Sequence, residues 1–232
     1  MPPIDPRLLL NKLGFGPSPV DIADVARIGS DAWLARQLSP PADDGLGARI
    51  GGIRWRLKYR RPATVVQPAG AAVASAQPPS PATRGAAPAL PEPPPMVDVD
   101  VERPVATIDQ ALSEHWQLIA NNDPGQERIF LRTAVTAATI VRAVHSPWQL
   151  REVMVDFWHN HFNVNAAFDG LVAVALPSYD RDVIRAHALG NFRAMLEAVA
   201  QSAAMQVYLN NRSSRGGAAN ENYARELFEL HT

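Results

Sequence analysis

From Val105 onward the chain gives one helix-start signal after another, and this relay limits the folds open to it. Asp123 precedes Pro124 and Ser146 precedes Pro147. Each pair joins a side-chain acceptor to a residue with no N–H to satisfy, the usual opening of an α-helix. Asn191 and Asn220 are placed to cap two more. The pattern predicts helices over about 105–121, 124–144, 146–162, 180–188, 191–201, 203–209 and 220–232. Gly170 to Leu176 could form a short strand, although nothing nearby offers it a partner. No internal repeat is visible. The expected fold class is all-α, an irregular multi-helix bundle.

The first forty residues read as short helices on tight turns. Asp5 to Lys12 is amphipathic, with Leu8, Leu9 and Leu10 on its buried side, and Gly14-Phe15-Gly16-Pro17 stops it. Ser18 before Pro19 restarts a helix, and Ser30 caps another whose apolar stripe is Trp33, Leu34 and Leu38. Between Pro62 and Pro95 the composition shifts to ten prolines and many alanines, with only Arg84 and Glu92 charged. Such a stretch buries too little surface to offset its ordering entropy, which predicts a disordered or semi-stiff Pro/Ala-rich insertion. Structure is expected to resume near Val105. The resulting division is 1–40 as short helices of the main domain, 41–104 as a variable insertion or linker, and 105–232 as the helical core.

With 232 residues, 47% of them apolar, the chain can bury a substantial core. A net charge of -1 provides no global field toward nucleic acid or anionic membrane. The absence of cysteine removes disulfides, thiolate metal sites and cysteine nucleophiles. Met1 to Arg7 has no basic leader region, and no stretch approaches the roughly 18 apolar residues of a membrane span. A soluble protein retained in the cytoplasm is expected.

The segment richest in chemistry is Arg151 to Val164 (REVMVDFWHNHFNV). On a helix, Glu152, Asp156, His159 and Asn163 share one narrow stripe, while Leu150, Val153, Met154, Phe157 and His161 lie opposite. His159 and His161 can face one ligand only if the helix unwinds near Asn160. The last helix repeats the arrangement: Asn222, Arg225, Glu226 and Glu229 share a stripe, and Tyr223, Leu227 and Leu230 form the apolar side. Two helices carrying acids at such spacing can build a carboxylate–histidine metal site within a bundle. Asp156, His159, Glu226 and Glu229 are the candidate ligands of zinc, iron or manganese. His161, Arg225 and Tyr223 are the candidate catalytic residues. The same stripes could instead form a buried structural network or solvated faces.

Two further groups stand out. In Ile53 to Arg61, basic and apolar residues alternate, so an extended strand would carry Arg54, Arg56, Lys58 and Arg60 on one face. A solvated edge or a contact with an acidic protein suits it better than nucleic acid, because the rest of the chain offers no basic complement. Ser178, Asp180 and Asp182 fit the N-terminal end of a following helix, with Arg185 and His187 beyond them. There is no glycine-flanked serine elbow, phosphate-cradling loop or dinucleotide fingerprint.

Arg151 to Val164, Ile184 to Phe192 (IRAHALGNF) and Asn220 to Thr232 (NENYARELFELHT), with the opening Leu9 to Pro17 (LLNKLGFGP), resemble signature blocks of the bacterial family called domain of unknown function 1800. The resemblance covers about residues 5–40 and 105–232 and departs from the family pattern at Ser202 to Met205 and at Asn210 and Asn211. It implies that the chain is the N-terminal portion of a longer protein, in keeping with a last helix that lacks a stop signal. It also implies a partner encoded beside it. It supplies no catalytic residues. Two functions are therefore weighed: a metal-dependent hydrolase or oxidoreductase, and a non-enzymatic helical scaffold or partner-binding module.

Overall fold

The computed structural model describes residues 4–63, 95–167 and 169–231, with side chains described through Glu229. Three short helices lead: α1 (Pro6–Leu13), α2 (Pro19–Ile28) and α3 (Ser30–Gln37). Leu9, Leu10, Val25 and Trp33 bury one another in a small cluster of their own. Asp5 and Ser18 cap the first two by accepting from the amides of Arg7 and Asp21. Ser30 does not cap α3. It is the first helical residue, and its hydroxyl donates to the Ile4 carbonyl.

Next come α4 (Gly47–Gly51) and two strands, β1 (Arg54–Pro62) and β2 (Met96–Pro104). The strands pair antiparallel along their full length, with Lys58 opposite Asp100 and Arg60 opposite Asp98. The all-α expectation is corrected here: the chain is mainly helical but carries a two-stranded sheet, and ordered structure resumes at Met96, ahead of Val105. The basic face of β1 meets acids of its own sheet. Arg56 grips Asp100 through two bonds of 2.7 Å, and Arg60 lies 3.2 Å from Asp98. These pairs are exposed and help register more than stability. Of the proline-rich insertion, residues 64–94 lie outside the described residues.

The other face of the hairpin closes on the main core. Leu57 of β1 is buried with Leu46 and Ile50 against Phe130, Leu131 and Val135. These last three belong to α6 (Pro124–His145), which is capped by Asp123. Between hairpin and α6 run a 3-10 turn (Val105–Asp109) and α5 (Leu112–Asn121). A buried ion pair fastens β2 to α6: the Arg103 guanidinium meets the fully buried Glu127 carboxylate at 2.6–3.0 Å.

Four helices complete the frame: α7 (Gln149–His161), α8 (Gly170–Ser178), α9 (Phe192–Gln201) and α10 (Ala203–Tyr208). A short α11 (Asn222–Glu226) follows and continues as a π-turn, Leu227–His231. Asn191 caps α9 as its sequence position suggests, and Ser202 caps α10. Asn220 stands two residues before α11, where its side-chain oxygen accepts from the Asn222 amide at 2.9 Å. α7 begins at Gln149, three residues past Ser146, and Trp148 gives it no side-chain cap. The buried Gln37 of α3 substitutes, accepting from the Leu150 amide and donating to the Pro147 carbonyl.

The run starting at Gly170 is a helix, which corrects the strand reading. It is capped by Asp169 and buried on both sides, Val174 in the α6 core and Val172 and Ala175 in the core shared with α9 and α10. A segment apolar all round has no amphipathic period, so its pattern cannot tell a buried helix from a buried strand. α8 does not stop at Ser178. Past Pro177, which lacks an N–H, it widens into a π-helical stretch, Tyr179–Arg185.

Arg103→Met leaves Glu127 charged, unpaired and buried, and should lower stability by about 3–5 kcal/mol in urea unfolding. Adding Glu127→Leu should recover most of the loss. An unchanged midpoint for Arg103→Met alone would show that this pair does not hold the hairpin to α6.

Candidate functional site

α7 stays regular through His161, so its two histidines diverge. The acid–imidazole stripe of α7 faces the π-helical stretch. His159 Nε2 lies 2.9 Å from Asp180 Oδ1, and Arg185 reaches Asp180 through Nε at 2.9 Å and Glu152 through Nη1 at 2.8 Å. Arg151 Nε adds a longer contact of 3.4 Å to Glu152. Burial pushes the Asp180 carboxyl up, yet the Arg185 charge and the His159 hydrogen bond outweigh it and hold the group at about 2. Ionised Asp180 can only accept, so His159 carries a proton on Nε2 and donates it. The side chains of Glu152 and Asp180 are 2% and 4% exposed, so nothing outside the protein shares this work. Asp180 thus caps no helix, and Ser178, inside the continuous α8, donates its hydroxyl to the Ala175 carbonyl.

A second set of residues meets on the other side of α7. Asn160, His161 and Asn163 wall a cavity of about 450 Å³ together with Met205 and Tyr208 of α10, Leu209 and Glu226 of α11. His161 stacks on Phe157 and meets the edges of Trp158 and Phe162. Trp158 is pinned by its indole N–H, which donates to the Ala188 carbonyl at 3.0 Å. Glu226 is half-buried, with Arg225 Nη2 at 3.5 Å.

The seven residues singled out from sequence therefore separate. His161 and Glu226 line one cavity. His159 belongs to the Asp180–Arg185–Glu152 chain. Asp156 is exposed near the Asn160 amide, and Glu229 is exposed on the terminal turn. Arg225 is largely exposed and donates to Asn222 Oδ1 at 2.9 Å. Tyr223 packs against the α8–α10 core with its hydroxyl buried and without a partner among the described residues, and burial pushes its pKa up. Asp156, His159, Glu226 and Glu229 do not form a common donor set. No group of three His, Asp or Glu side chains placed to hold a metal occurs among the described residues.

The model of the family described as protein of unknown function, DUF1800, matches residues 8–232. The chain belongs to this family. No curated protein and no solved structure matches it. Within this DUF1800 chain the missed residues are instructive. In the sequence Asp180 suits the N-terminal end of a helix and Arg185 stands beyond it; their meeting with α7 follows only from the continuous helical run Gly170 to Arg185. Tyr208 carries no local signal and reaches the cavity only through the turn between α9 and α10.

Asp180→Asn removes the charge that Arg185 and His159 share and should destabilise the protein by about 3 kcal/mol near neutrality. The sign with pH follows from the lowered Asp180 pKa. Its stabilisation is complete above the unfolded value near 4 and is lost as pH falls toward about 2. The gap in melting temperature between wild type and Asp180→Asn should therefore narrow over that window. A constant gap from pH 6 to 2 would refute the assignment.

Proposed function

We propose that the cavity between α7, α10 and α11 is an enzymatic site performing acid–base chemistry, hydrolytic in class, on a small polar substrate. The observation carrying this reading is the meeting of His161 and Glu226, from segments more than sixty residues apart in sequence, on one concave wall. Imidazole and carboxylate are the side chains most used to move protons near neutral pH. Asn160, Asn163 and Tyr208 supply amide and phenol groups that can orient a substrate, and Met205 and Leu209 supply apolar wall. In this scheme Glu226 accepts a proton from an attacking water and His161, stacked on Phe157, donates one to the leaving group. Tyr223 and Arg225 serve as support, Tyr223 by packing beneath α11 and Arg225 by holding Asn222 and Glu226.

The metal-centred version of this function is the weaker one, because its four ligands are dispersed. A scaffold reading is favoured by a different observation: Glu152 and His159 of α7 are spent on the buried chain to Asp180 and Arg185, as in a rigid, non-catalytic bundle.

Wild type, His161→Gln and Glu226→Gln should be compared on p-nitrophenyl esters and phosphates across pH 5 to 9. Both variants should melt within a few degrees of wild type and lose turnover by roughly 10²–10⁴-fold. Turnover that survives both substitutions, or wild type without turnover on every substrate, would overturn the enzymatic reading in favour of the scaffold.

A further inference from the structure

A larger cavity, of about 690 Å³, is lined in part by Arg185 of the buried ion chain. Four arginines reach its wall from three segments: Arg142 from the end of α6, Arg151 from α7, and Arg181 and Arg185 from the π-helical stretch. Arginines left to themselves would spread apart. Here each is tied by specific acceptors. Arg142 Nε meets Asp44 Oδ2 at 2.7 Å, and Arg151 Nη1 donates to the Pro41 carbonyl at 3.0 Å. Arg181 forks onto Asp182 and also donates to the Ile108 and Gln110 carbonyls. Arg185 is held by Asp180 and Glu152. The side chains of Arg142, Arg151 and Arg185 are only 11–14% exposed, so their orientation is set before anything binds.

These ties leave donors unspent. Arg142 uses one nitrogen on Asp44, and its two terminal nitrogens have no acceptor among the described residues. Arg185 Nη2 is shut off from solvent and has no partner among the described residues. A buried guanidinium N–H without an acceptor is costly, and an oxyanion is the group that satisfies it most strongly. Asp43 and Asp109 share the wall, so a densely charged polyanion is repelled while a single anionic group on a larger body is accepted. Pro40 and Leu189 offer that body apolar contact.

We propose that this cleft binds a small molecule carrying one phosphate or carboxylate, its oxyanion held by the terminal nitrogens of Arg142 beside the fixed positive charges of Arg151, Arg181 and Arg185. The site is separate from the His161–Glu226 cavity and does not depend on that cavity being catalytic.

The test uses phenyl phosphate and benzoate as probes, by calorimetric titration and melting temperature, against sodium chloride at matched ionic strength. At least one probe should bind saturably and raise the melting temperature beyond the chloride control. Arg142→Gln should weaken that binding about tenfold or more. Because Arg142 also holds Asp44, a second variant acts on space alone: Ala186→Trp, at an exposed position of the cleft wall, should fold normally and abolish binding. The proposal is overturned if neither probe exceeds the chloride control, or if binding is unchanged in Ala186→Trp.

Discussion

A guanidinium ion taken out of water needs acceptors in fixed directions, and Arg185 finds them on two different elements. Glu152 comes from the first turn of α7, and Asp180 from the turn of the π-helical stretch that precedes Arg185 itself. Because all three charges are buried, α7 cannot slide or rotate against the π-helical stretch without stranding one of them. His159 extends the same chain by donating to the free oxygen of Asp180. This lock fixes the rotation of α7 and thereby sends His161 to the other side, toward α10 and α11. Arg185 and Arg151 wall one cavity and His161 the other, so one set of charges helps position the walls of both.

Much of this arrangement was legible in the sequence. The caps at Asp123 and Asn191 and the breaks between helices follow from side-chain chemistry that acts locally, and they appear where they should. The stripe of Glu152, Asp156, His159 and Asn163 was also visible, because it depends only on helical period. Its partner was not. Pairing is a tertiary fact, and the acids of the last helix offered a more obvious match than Asp180 and Arg185. Reading Gly170 to Leu176 as a helix would have carried the chain through Pro177 to both residues. Burial on two faces erased the period that would have allowed it.

The second strand was within reach too. Val97, Val99 and Val101 alternate with Asp98, Asp100 and Glu102, the same period of two found in β1 and of opposite charge. The insertion concealed it by separating two segments that are neighbours in the sheet. Sequence distance weakens a hairpin signal even when registry and charge agree. The complement of the basic alternation in β1 lies on the returning strand of the same chain.

The pairing of Pro62 with Met96, and the Ala63 amide bonded to the Pro95 carbonyl at 2.7 Å, bring the two ends of the insertion together. Once its ends are clamped, the cost of a connecting stretch rises only with the logarithm of its length, about 0.6 kcal/mol per doubling. The fold is therefore nearly indifferent to how much chain lies between those two prolines. A drifting sequence can lengthen or shorten it there, and a reporter domain spliced into it would leave the strands in register and both cavities untouched.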